Sequence, residues 1–263
     1  MITADAASKA SDLIWQLWEL GEVIPRLPEG LTPQTRADGY AIQSGLSLRT
    51  AKGLVGWKIA ATSKAGQSHI GVDGPLAGRL IAERTAASGA TLSFRGNRMR
   101  VAEPEFAFRA GADLAPRATP YAVDEVMAAM DALIPAIEVP DSRFTDFAKV
   151  GGAQLIADNA CAHQFVLGQP ATCDWRALDL ARYPVHAIVK GRYERDGIGA
   201  NVLDDPRLAL TWLVNELSGL GLTLTRGQVV TTGTCMVPLD IQAGDHVHAD
   251  FGMLGQVEVT FGA

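Results

Sequence analysis

The chain has no block of like charge, no CxxC pair and no apolar run long enough to span a bilayer. Each absence removes a class of function. With 23 Lys and Arg against 29 Asp and Glu, the formal net charge is −6. Nucleic acid and anionic membrane surfaces are therefore poor partners. Cys161, Cys173 and Cys235 stand apart in sequence, which argues against a disulfide framework or a zinc knuckle and fits a reducing cytoplasm. Cys235 is open to two readings: a nucleophile beside Gly233-Thr234, or the small buried apolar residue that a free thiol most often is. The first twenty residues carry acids and a helical rhythm, without a basic segment ahead of an apolar run. They are not expected to act as a secretory signal. No GxSxG elbow, HExxH or Walker loop occurs. Gly252-Met253-Leu254-Gly255 lacks the strand–turn–helix setting of a dinucleotide loop and is expected to be a hairpin turn.

What remains is an ordinary globular composition, 48% hydrophobic and 20% charged over 263 residues. That size suits one large domain or one domain with a small appendage. Residues 4–21 place Ala7, Leu13, Ile14, Leu17 and Leu20 at helical spacing, and Gly21 is a stop. Thr32-Pro33 offers a cap-and-proline start for a second helix running to about Lys52. From Gly53 onward strand signals dominate, at 53–61, 103–110, 134–139, 163–167, 185–193, 228–232 and 246–261. Helices are expected near 123–132 and at 206–219, the latter opened by Asp205-Pro206. Strands and helices do not alternate, so a doubly wound parallel sheet is excluded in favour of an α+β, largely antiparallel body. Residues 1–53 form its helical N-terminal segment and 54–263 its β-rich catalytic domain.

The most informative pair is Glu103 and Glu105, on either side of Pro104 in a strand. Residues i and i+2 of a strand share a face. Two neighbouring carboxylates repel one another and resist burial, and a hard divalent cation removes both difficulties. Glu138 is the one acid in a second apolar strand, 133–139, and reads either as solvent-facing or as a third ligand. Lys58 interrupts the apolar stretch 54–60, at an edge or pointing into a polar pocket. Thr62, Ser63 and Lys64 follow it, two hydroxyls and a cation suited to a carboxylate. Asp141 and Arg143 read as an ion pair or as the site mouth, and Asp158-Asn159 as a helix cap. His246 and His248 share a strand face, where they are either exposed or a metal pair. His69 lies closest in sequence to Lys58.

Six segments together carry a family resemblance: GWKIAATSK (56–64), GVDGPLAG (71–78), EPEFAF (103–108), IEVPDSR (137–143), ADNA (157–160) and the C-terminal AGD to GMLGQV (243–257). In this order they make the chain similar to the hydratase/decarboxylase branch of the fumarylacetoacetate hydrolase superfamily, over nearly its whole length. The resemblance implies a mixed β-roll or sandwich with a smaller helical N-terminal part, assembled as a homo-oligomer. It implies Mg²⁺ or Mn²⁺ on Glu103, Glu105 and Glu138, chelating a small 2-oxo acid. Lys58 would bind substrate or move a proton, with Thr62, Ser63 and Leu76 lining the substrate site. The implied activity is that of a lyase of the 2-keto-4-pentenoate hydratase type, in catabolism of aromatic or related carbon sources. Decarboxylation of the 4-oxalocrotonate type is the alternative. Leu76 stands where hydratases of the family carry an acid, and with the run Asp141-Ser142-Arg143-Phe144 it leans toward the decarboxylases. Ala77 stands where both groups carry an aromatic residue. Glu83 is a candidate replacement for the missing acid or a surface residue. Acylpyruvate hydrolysis ranks behind both, because the family's hydrolases use a histidine near the N-terminal segment and residues 1–55 contain none. A non-catalytic subunit in complex with a paralogous hydratase or decarboxylase is the reading from outside enzymology.

Overall fold

The computed structural model describes residues 1–262. In chain order its helices and strands are α1 (Ala4–Leu20), α2 (Arg36–Ser44), β1 (Leu54–Ala60), α3 (Lys64–Ile70), β2 (Leu76–Ile81), β3 (Thr85–Ala87), β4 (Ala90–Ser93) and β5 (Val101–Ala110). There follow α4 (Val123–Ala129), β6 (Met130–Val139), α5 (Gly152–Ala157), β7 (Gln164–Leu167), β8 (Pro184–Val189), β9 (Tyr193–Ile198) and α6 (Pro206–Gly219). The chain closes with β10 (Val229–Thr234), β11 (Leu239–Asp240), β12 (His246–Asp250) and β13 (Gln256–Gly262).

Local chemistry explains the helix boundaries. Thr3 caps α1 by accepting from the Ala6 N–H, and Gly21 ends it in the left-handed conformation at φ 66°. Ala7, Ala10 and Ile14 of its apolar stripe pack with Leu27, Ile42, Phe144 and Ala157. The second helix does not start at Thr32-Pro33. Thr35 caps it, with Asp38 completing a reciprocal capping box, while the Thr32 hydroxyl donates to the Leu27 and Pro28 carbonyls. It also ends early, passing at Gly45 into a short 3-10 turn. Asp205 and Pro206 open α6 as expected, and its buried stripe is Ala209, Leu210, Leu213, Val214 and Leu217.

Two sheets form an α+β body. The larger runs β2-β1-β10-β5-β6-β7-β3, with β11 on the free end of β5, and the smaller runs β4-β13-β12-β8-β9. Pairing is mostly antiparallel, but β1–β10, β13–β4 and β3–β7 are parallel. The sheets and α6 share one core, where Phe106 meets Phe251 edge-on at 5.2 Å. The expected strand 185–193 is the hairpin of β8 and β9, turned at residues 190–192. The helix expected at 123–132 stops at Ala129 because β6 claims Met130 onward. Helices α3 and α5 are seven and six residues long, too short for their periodicity to register in the sequence. Among the described residues no helix is long and apolar enough to cross a membrane.

For the site, the decisive pairing is β5 with β6. Its register sets Glu103 directly opposite Glu138, in the middle of the larger sheet.

Candidate active site

Backbone pairing brings the three glutamates together. One carboxylate oxygen from each of Glu103, Glu105 and Glu138 lies within 4.8 Å of the others. Among the described residues this is the one group of three or more acid, histidine or cysteine side chains that converges closely enough to hold an ion. Glu105 and Glu138 are essentially inaccessible to solvent. Burial and then the neighbouring Glu138 raise the Glu103 carboxyl to about 7. Burial, Glu138 and Glu103 together push Glu105 well above the carboxylate range, and burial raises Glu138 against the pull of Lys58.

Lys58 is the one cation in the cluster. It sits mid-strand in β1, 3% exposed. Its Nζ lies 3.1 Å from Glu138 Oε1 and donates to the Ala160 carbonyl at 3.0 Å. Burial works against its charge, but Glu138, Glu103 and Glu105 outweigh burial and hold the ammonium above the usual lysine range. One ammonium does not satisfy three carboxylates. Glu105 Oε1 and both Glu138 oxygens are buried with no hydrogen-bond partner, the Lys58 contact being one of charge without hydrogen-bond alignment. Orphaned oxygens of this kind are costly. Three convergent, all-oxygen donors match what Mg²⁺ and similar hard cations prefer, so the residues present fit such an ion.

Two glycines make room for this arrangement. In β10 the register shifts between Thr231 and Thr234, a bulge whose Gly233 adopts φ 101°. The Gly233 N–H donates to Glu105 Oε2 at 2.8 Å, and a Cβ there would lie 2.1 Å from Thr62 Oγ1. Gly78 sits opposite Lys58 in the β1–β2 pair, where a Cβ would lie 2.4 Å from the Asn159 carbonyl and 3.0 Å from the lysine stem.

The Ala160 carbonyl reaches Lys58 because Asn159, Ala160 and Cys161 are all left-handed, at φ 56°, 50° and 60°. Three consecutive non-glycine residues in this region are strained. A second buried cluster holds them. Arg143 does not pair with Asp141, as the sequence suggested. Its guanidinium donates to the Asp158 carboxylate and carbonyl, and at 2.9 Å to the carbonyls of Asp141 and Ala162. Ser142 Oγ donates to Asp158 Oδ2 at 2.6 Å, and Arg143 stacks on Trp18 with 4.7 Å to the ring centroid. The Asn159 amide bonds both backbone groups of Arg79. Asp141 instead accepts from the Arg98 and Met99 N–H groups. Asp158-Asn159 is thus a buried bracket for the turn.

Through Lys58 and Glu103 the cluster borders a cavity of about 710 Å³. Lys58, Glu103, Thr62, Ser63 and Leu76 all line it, and so do His69 and Cys161. The Ser63 hydroxyl is engaged in capping α3. His69 packs edge-on against Phe147 at 5.8 Å. Burial raises the Cys161 thiol to about 12. Three other candidates fall away. Cys235 is outside the cavity, fully buried, its Sγ on the Pro104 carbonyl and its thiol pushed up by burial. Glu83 accepts from Thr50, Ala51 and Lys52 on the surface. His246 and His248 bond Thr260 and Gln256 across the β12–β13 pair and hold no metal geometry. The sequence reading missed Ala160, Gly78 and Gly233; the strand expected at 228–232 stopped short of Gly233, the lone glycine of β10 and the available signal for a bulge.

Residues 80–261 match the family described as fumarylacetoacetate (FAA) hydrolase C-terminal. The chain belongs to the fumarylacetoacetate hydrolase family. It is 28% identical to a 2-keto-4-pentenoate hydratase of Paraburkholderia xenovorans, over 99% of this chain and 96% of that one. It is 32% identical to a 2-hydroxyhexa-2,4-dienoate hydratase of Comamonas testosteroni, over 86% of each. Among solved structures, 4-oxalocrotonate decarboxylase from Pseudomonas putida G7, complexed with magnesium and adipate, superposes with TM-score 0.89 at 26% identity and 99% coverage of both chains. These full-length likenesses place this fumarylacetoacetate hydrolase family member in the hydratase/decarboxylase branch, as an enzyme of lyase type.

Proposed function

We propose that the chain is a divalent-metal-dependent hydratase of small 2-hydroxydienoic or 2-oxo acids, acting in the manner of 2-keto-4-pentenoate hydratase. The observation that carries this reading is the under-satisfied carboxylate cluster, with Lys58 beside it, bordering a cavity. Glu103, Glu105 and Glu138 would hold Mg²⁺ or Mn²⁺. A bound cation of this kind polarises a 2-oxo group and stabilises negative charge developing at C2–C3.

The chain's own residues supply the rest. Lys58, hydrogen-bonded to the Ala160 carbonyl and drawn by charge to Glu138, keeps N–H capacity for the substrate carboxylate or for proton transfer. Thr62 and Ser63 shape the same wall. Leu76 presents a hydrocarbon to the cavity where a hydratase acid is expected, and it favours the second reading, decarboxylation. The intact glutamate set weighs against a non-catalytic subunit. In this reading residues 54–263 are the catalytic domain and residues 1–53 its helical segment. The family resemblance extends it to a cytoplasmic homo-oligomer in aromatic catabolism, alone or beside a paralogous partner. The test is an ultraviolet assay of the purified protein with Mg²⁺ on 2-hydroxypenta-2,4-dienoate and 4-oxalocrotonate in parallel. Hydration of the first supports the proposal, and CO₂ release from the second alone overturns it.

A further inference from the structure

Away from the carboxylates most of the cavity wall is hydrocarbon, with Thr62, Ser63, His69, Asn201 and Thr234 as its polar members. Leu76, Met99, Val101, Phe147, Met236 and Val237 face it from β2, β5 and three connecting segments. Among the described residues no arginine lines it, and Lys58, its one lysine, is already engaged by Glu138 and Ala160. Arg195 touches the Val237 and Pro238 carbonyls, but it is ion-paired to Asp240 at 3.0 Å and is not a lining residue. A second carboxylate on the substrate would leave water for a wall with no fixed cation to receive it, which is strongly unfavourable. An apolar chain gains about fourfold in affinity for each methylene it buries there. The volume, about 710 Å³, is of the size that takes ligands much larger than a five-carbon acid.

We infer that the substrate is a monocarboxylate whose end remote from the 2-oxo or 2-hydroxydienoic group carries an uncharged apolar extension, seated on Leu76, Val101, Met236 and Val237. The inference rests on the proposed 2-oxo acid site and names the class of acid that site accepts. It also separates this chain from an enzyme built for a dicarboxylate.

Binding and turnover test it separately. Calorimetry of the full chain with Mg²⁺, at about pH 8 where an imidazole is uncharged, compares pyruvate, 2-oxo-octanoate and 2-oxoadipate. The expected order has 2-oxo-octanoate binding at least about thirtyfold tighter than pyruvate and about tenfold tighter than 2-oxoadipate. Equal or tighter binding of 2-oxoadipate overturns the inference, whatever reaction the enzyme performs. Val237 is 70% exposed, so Val237→Arg adds a cation at the rim without disturbing the core. It is expected to narrow or reverse the preference, and an unchanged ratio counts against the inference. The same comparison by kcat/KM on 2-hydroxydienoates with alkyl or carboxylate ends tests the lyase reading. Tight binding of 2-oxo-octanoate with no turnover of any dienoate upholds the apolar subsite and sinks the hydratase.

Discussion

Two buried charge clusters lie on either side of the left-handed turn at Asn159–Cys161. Around Asp158 the charges balance, and Ser142, Arg143 and backbone carbonyls pair the polar groups. Around Glu138 three carboxylates face one ammonium, and three buried oxygens have no hydrogen bond. Both clusters are deep, so burial does not distinguish them. Satisfaction does. A complete network fixes a conformation, whereas an incomplete one is tolerated where a ligand completes it.

The sharpest way to break the comparison is to remove one charge from each cluster. Glu105→Gln is expected to lower Mg²⁺-dependent turnover on the order of 10³-fold. It should leave the metal-free fold as stable as before or about 1 kcal/mol more stable, because folding no longer has to protonate and bury that carboxyl. Steady-state kinetics and thermal melts read the two effects, and full activity with unchanged metal affinity would dismiss the site assignment. Asp158→Ala does the opposite. It strands Arg143 in the interior, and denaturant melts are expected to show a loss of about 3–5 kcal/mol. The double substitution Arg143→Met with Asp158→Leu is expected to recover much of that stability but not turnover, since nothing then aims Ala160 at Lys58.

A smaller effect separates the clusters by pH. Glu103 titrates at about 7 in the folded chain against 4.5 in its absence, so the folded state holds its proton more tightly than the unfolded state does. The resulting stabilisation is complete below about 4.5 and is lost as pH rises through about 7. The melting temperature of the metal-free protein is therefore expected to fall across that window. Mg²⁺ should oppose the fall, and a flat profile without metal would contradict it. The smallest effect belongs to the surface. His248→Gln on β12 should change stability by less than about 0.5 kcal/mol and leave Mg²⁺ affinity unaltered, by melt and titration.

The three-glutamate cluster was far more legible in the sequence than the balanced one. Glu103 and Glu105 share a strand face by simple alternation, and Glu138 stands out as a lone acid in an apolar strand, a pattern that also fits a solvent-facing residue. The α6 boundaries were equally plain from Asp205-Pro206. Asp158 and Arg143 sit in segments with no periodicity, and their partnership spans 15 residues of chain. The left-handed turn they hold contains no glycine, so nothing local announces it. The Thr35 cap was readable from Asp38 three residues on, but Thr32-Pro33 supplied a competing start, lost because the Thr32 hydroxyl turns back to the Leu27 and Pro28 carbonyls.

The register that seats Glu103 opposite Glu138 is held by main-chain hydrogen bonds along β5 and β6. Those bonds form regardless of what the cavity wall is made of. The carboxylate cluster and the largely hydrocarbon wall are therefore separable in descent. A lineage can exchange Leu76, Met99 or Val237 for other side chains while the three glutamates stay in place. One sheet register can serve as the fixed chassis for a series of enzymes that differ only in upholstery.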